Sequence, residues 1–136
     1  MNKLTLALLF LTFALHGCCS LSEGARGFMG VSTKILEDTR KDAVTKDFNI
    51  SLEAAHSAVK TALRENKSYI YREDDSFGLI AVYLSESDTT PVGVFLSSLD
   101  NDKVRIEVSS PSTYGKETIA KVVFDALKGI LDEKKE

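Results

Sequence analysis

The chain has 136 residues, 43% of them hydrophobic and 27% charged, with a formal net charge of -3, two cysteines, two prolines and no tryptophan. That is the size of one compact domain with a short extension, and it excludes two ordinary domains. From Ala43 onward acidic residues outnumber basic ones and no basic stripe occurs, which excludes a nucleic-acid reader.

The first twenty residues differ in composition from the rest: a single positive charge at Lys3, then an uncharged apolar run from Leu4 to Leu15. A run of this length cannot cross a hydrocarbon core of about 30 Å, which needs roughly 20 helical residues, so it reads as an export signal. The residues that follow, Leu15, His16, Gly17 and Cys18, resemble the bacterial lipoprotein signal, in which a Leu, a variable residue and a small residue precede a cysteine that becomes lipidated. The resemblance implies that residues 1–17 are a signal peptide, that Cys18 carries the acyl chains, and that the mature protein faces the periplasm from the membrane. The residue after Cys18 is not Asp, which under the same resemblance favours the outer membrane. Two or three acyl chains suffice for stable anchoring, whereas one does not. With Cys18 modified, Cys19 is the only remaining thiol, no intramolecular disulfide can form, and the fold must stand on its core.

Residues 18–43 are polar, contain Gly24, Gly27 and Gly30, and read as a flexible tether holding a short helix over Ser32–Arg40 around Ile35-Leu36. The folded domain is expected over 44–136. Val44, Phe48 and Ile50 alternate on one face with Lys46 between them, which predicts a strand over Val44–Ile50. Ser51 can cap a helix in which Leu52, Ala55, His56, Val59 and Leu63 form one apolar stripe, Leu52–Glu65. Four β-rich runs follow, Ser68–Arg72, Leu79–Ser85, Val92–Ser97 and Lys103–Ser109, divided by turn-forming residues. They read as an antiparallel meander. Lys103–Ser109 alternates apolar and charged residues, so one face is buried and the other wet. The Leu79–Leu84 run is apolar on both faces, as suits a central strand or one partly covered on its second face. After Pro111 the chain is expected to turn at Tyr114-Gly115 and enter a helix with a stripe of Ile119, Val122, Val123, Ala126, Leu127, Ile130 and Leu131. The expected fold is α+β, a two-layer sandwich of order β-α-β-β-β-β-α with two helices on one face of the sheet.

Ser51-Leu52-Glu53 opening a helix with Ala55, Ala58, Ala62 and Leu63, then Phe77-Gly78-Leu79-Ile80, then Tyr114-Gly115 before a helix with Ile119 and Ile130, resemble small bacterial lipoproteins that carry a functionally uncharacterised α+β domain. The helix-strand-Gly-strand pattern is more remotely similar to the helix-grip domains of outer-membrane-assembly lipoproteins. His56 departs from the pattern, standing where a large aromatic or aliphatic residue is expected. Neither resemblance implies a catalytic residue.

The chemistry-bearing residues support no enzyme. His56 is the one histidine left after processing, without a nearby Cys or second His for zinc, and no G-x-S-x-G occurs for a hydrolase. Glu73, Asp74 and Asp75 fall at the same end of the meander as Asp100 and Asp102, but turns favour such residues without any metal, and neither metal nor cofactor is expected. Hydroxyls at Ser109, Ser110, Ser112 and Thr113 precede the last helix and are explained by capping. Tyr69 and Tyr71 share one face of a strand opposite Ile70, either packed under a helix or forming an exposed aromatic surface for a partner or glycan. The expectation is a membrane-anchored binding or assembly module of the envelope, its partner an envelope protein. The alternative is a periplasmic small-ligand carrier with a pocket between helices and sheet.

Overall fold

A computed structural model describes residues 33–76 and 78–135 of the chain. The proposed signal, Cys18, Cys19, Phe77 and the first part of the tether lie outside the described residues. The order of the main elements is β1 (Val44–Phe48), α1 (Leu52–Glu65), β2 (Tyr69–Asp74), β3 (Leu79–Tyr83), β4 (Pro91–Asp100), β5 (Lys103–Ser109) and α2 (Thr113–Glu133). The fold is α+β, with one antiparallel five-stranded sheet in the order β1-β5-β4-β3-β2. The long return from β1 through α1 places β1 beside β5, so β1 and β2 are the two edges.

Both helices cover the same face of the sheet. Alternation puts Ile80, Val82, Val92, Val94, Leu96, Val104, Ile106 and Val108 on that face, where they meet Ala55, Val59 and Leu63 of α1 and Ile119, Val123 and Leu127 of α2. The register pairs Val44 with Val108, Lys46 with Ile106 and Phe48 with Val104, so Lys46 projects from an edge strand toward the helix side, its ammonium 5.5 Å from the centre of the Phe48 ring. A charge pointing inward from an edge strand discourages another chain from pairing there. Helix α1 starts where expected, with the Ser51 hydroxyl accepting a hydrogen bond from the Ala54 amide.

Helix α2 corrects one expectation. Tyr114 and Gly115, read as a turn, sit inside its first turn, because Ser112 is the N-cap and accepts from the Gly115 amide. Gly115 serves close approach instead: a Cβ there would lie 2.9 Å from Cγ2 of Thr90. The turn glycine is Gly78, at φ +57, where a Cβ would fall 2.2 Å from the Leu96 carbonyl oxygen. Its own carbonyl accepts from the Leu96 amide.

The second correction concerns the far face of the sheet. Residues 33–42, placed in the flexible tether with a short helix over Ser32–Arg40, are an ordered strap: the helix is present over 33–38, and Arg40–Asp42 form a 3-10 turn. The strap crosses the strands from Thr33, which Arg72 of β2 approaches, to Arg40, which pairs with Glu107 of β5. Leu36 is fully buried against Leu79, Ala81 and Phe95. Its carbonyl accepts from the buried Ser109 hydroxyl at 2.7 Å. Gly93 makes the seat, since a Cβ there would press on Leu36 at 3.2 Å and on Phe95 at 3.0 Å. The Arg40 guanidinium lies 4.4 Å from the centre of the Phe95 ring and hydrogen-bonds Glu107 through Nε at 3.1 Å. Beyond the strap, the far face of β1 and β5 is charged and exposed, with Arg105 forked onto Asp47 at 2.8 and 3.0 Å.

Candidate functional site

The polar groups around His56 form an ion-pair patch. His56 is half-buried on α1, on the side that faces β2. Lys60, one turn further, donates to Glu73 of β2 at 2.8 Å. That hydrogen bond holds the Glu73 carboxyl below its ordinary value, with lesser help from the positive potential of His56 and Arg64. The Glu73 carboxylate, which feels His56, is thus already engaged by a lysine.

The acidic turns do not converge. Leu96 is level with Gly78, so the β4–β5 hairpin runs on for four more residues, about 13 Å, past the β2–β3 turn. Asp74 pairs with Arg72 at 3.4 Å and accepts from the Ser76 amide, while Asp100 accepts from the Asn101 amide. Among the described residues no group of three or more His, Cys, Asp or Glu side chains could hold a metal ion. The hydroxyls before α2 are likewise committed: Ser109 to Leu36, Ser110 to the Pro91 carbonyl at 2.7 Å, Ser112 to its cap.

Aromatic groups gather instead at the β2 edge. Tyr69 pairs with Tyr83 across β2 and β3, and a bulge between Ile70 and Arg72 shifts the register so that Tyr71 stacks on Tyr83 from the other side. Ring centroids are 6.3 Å apart for Tyr69 and Tyr83 and 4.2 Å for Tyr71 and Tyr83. The three rings make a ladder on the strap face. Tyr71 packs against the cluster beneath Leu36, whereas Tyr69 remains 50% exposed. Sequence periodicity placed Tyr69 and Tyr71 on one face but could not supply Tyr83, which a register through the bulge brings between them.

Tyr69 also borders an open cleft of about 540 Å³ at the end of the sheet where α1 gives way to β2. One wall is Arg64, Lys67 and Ser68 from the α1–β2 connection; the other is Ser85, Glu86 and Ser87 from the β3–β4 connection. The second wall is held by its own hydrogen bonds: the Ser85 hydroxyl receives the Asp88 amide at 3.0 Å and lies 3.2 Å from the Ser87 hydroxyl. Asp88 in turn receives the Thr90 amide and hydroxyl at 3.0 and 2.7 Å, and the Thr90 hydroxyl keeps its carboxyl below the usual range. A shallower groove of about 500 Å³ runs between α1 and α2 along Ala58, Ala62, Ala126 and Gly129. The space between the helices and the sheet is filled by core side chains.

No family model matches the chain, and no curated protein does. Among the described residues no helix is long and apolar enough to cross a membrane.

Proposed function

We propose that the protein is a non-catalytic binding or assembly module of the bacterial envelope, lipid-anchored through Cys18 and facing the periplasm, at the outer membrane. The observation that carries the binding role is the tyrosine ladder on an open sheet edge. A half-exposed aromatic stack backed by a packed cluster is rigid contact surface, with little side-chain entropy to lose on binding. The opposite edge supports this by contrast, since β1 carries Lys46, Asp47 and the Arg105 fork. The filled space between helices and sheet favours docking at the surface over carriage of a small molecule inside.

Two measurements test this reading. Cys18→Ser is expected to move the protein from the membrane fraction to the soluble fraction without unfolding it; continued membrane association overturns the anchor. A photo-crosslinking amino acid placed at Tyr69 in intact cells is expected to give adducts that the same group at Thr45, exposed on β1, does not. Equal labelling at both positions, or none at either, removes the β2 margin as the binding surface.

A further inference from the structure

We infer that the cleft beside Tyr69 is a binding site for an acidic saccharide, a pyranose ring that carries a carboxylate, held through Lys67 and Arg64 and stacked on Tyr69. The inference rests on the reading of the β2 margin as the binding surface and names the chemistry of what binds there.

The first observation is a backbone conformation. Helix α1 ends in a Schellman motif, with the Ser68 amide on the Leu63 carbonyl at 3.0 Å and the Lys67 amide on the Arg64 carbonyl at 2.9 Å. The residue after the C-cap must then be left-handed, and Lys67 is, at φ 60, the one non-glycine residue with positive φ among those described. Glycine fills that place in most such motifs because a Cβ is disfavoured there. Lysine therefore costs stability relative to glycine, and a strained residue kept in place is a mark of use when its side chain faces a cleft. Lys67 does so.

The second observation is the unmet charge. Through their side chains Lys67 and Arg64 make no hydrogen bond or ion pair with the described residues, apart from the pull of Arg64 on Glu73. Two cations on one wall, neither hydrogen-bonded nor ion-paired at contact distance to a carboxylate, suit an anionic group. The exposed Tyr69 ring offers an apolar plane for the C–H face of a sugar, and Ser85, Ser87 and Glu86 opposite can exchange hydrogen bonds with ring hydroxyls. A bare anion would use one wall alone. A pyranose with a carboxylate uses both walls and the ring.

The test is an NMR titration of the full chain in detergent with N-acetylmuramic acid, with N-acetylglucosamine, which lacks the lactyl carboxylate, and with inorganic phosphate. The acidic sugar is expected to shift the amides of Lys67, Ser68, Tyr69 and Ser85–Ser87 with a millimolar Kd, and the neutral sugar to bind about tenfold more weakly. Lys67→Gly separates structure from function: it should raise Tm by about 3 °C while weakening the acidic sugar about tenfold. Absence of shifts up to about 20 mM acidic sugar overturns the site, since a millimolar Kd would largely saturate it at that concentration. So does equal binding of N-acetylglucosamine, unchanged affinity in Lys67→Gly, or phosphate reproducing the same shifts. Any of these outcomes together with Tyr69 crosslinks in cells would dismiss the saccharide and leave the β2 margin as a binding surface.

Discussion

The sheet is covered throughout on one face and only over part of β3 and β4 on the other, and the two covers are built differently. The helix face lies under two amphipathic helices of 14 and 21 residues, whose stripes interlock with side chains from all five strands. The strap face relies on one apolar knob, Leu36, and one arginine laid over Phe95, held by a carbonyl-to-hydroxyl bond and an ion pair to Glu107. A helix face distributes its contacts over many residues and loses them only when the domain unfolds. A strap concentrates them and can open alone, because its departure uncovers a small cluster while every strand keeps its neighbours.

Mutations can break that comparison at either face. On the helix side, Ile106→Ala in the central part of β5 removes a fully buried side chain that no local movement can replace, at an expected cost of about 3 kcal/mol in urea unfolding. All sheet amides should lose hydrogen-exchange protection together. On the strap side, Leu36→Ala removes an equally buried side chain, but the loss cannot exceed the free energy with which the strap docks, and about 2 kcal/mol is expected. Here the amides of residues 34–39 should exchange quickly while those of β3, β4 and β5 stay protected. Uniform loss of protection in Leu36→Ala would mean that the strap is as integral as the helices.

The same contrast explains what the sequence made legible. Periodicity showed both helices, and Leu52–Glu65 ends where the pattern ends, because each stripe repeats a period long enough to stand out from its surroundings. It also showed the alternation of Lys103–Ser109. The strap has too short a period to place: the short helix around Ile35-Leu36 is legible, but nothing in it says that it docks on the sheet. The trace of that docking was indirect, in the run Leu79–Tyr83, apolar on both faces and therefore in need of a second cover. Gly93 makes room for that cover, and its purpose depends on a residue 57 positions away that no local pattern links to it. At the β2 margin Tyr69 and Tyr71 were visible as a pair, whereas Tyr83 and the cleft arise from pairing and a bulge. The left-handed Lys67 was invisible for the opposite reason, since the sequence there carries no glycine to announce a Schellman turn.

The smallest expected effect sharpens the comparison through charge, because each face holds at least one carboxylate in an ion pair. Asp47 lies on the strap face with Arg105, and Glu73 lies toward the helix face with Lys60. Both carboxyls are held below their ordinary values of 3.8 and 4.5, in each case chiefly by the hydrogen bond from the basic partner. A carboxyl whose folded value is lowered binds fewer protons in the folded than in the unfolded state, so its contribution is complete above the ordinary value and lost as pH falls through the folded one. Tm should therefore be level above about pH 5 and decline below about pH 4. Both pairs are partly open to solvent, which keeps the effect small; Glu73→Gln should cost no more than about 0.5 kcal/mol at neutral pH. Asp47→Asn and Glu73→Gln should each flatten part of the acid limb, and together flatten it additively, since the two pairs lie on opposite faces. Non-additivity in the double variant would show that the faces are coupled through the strands, and the strap could not then open by itself.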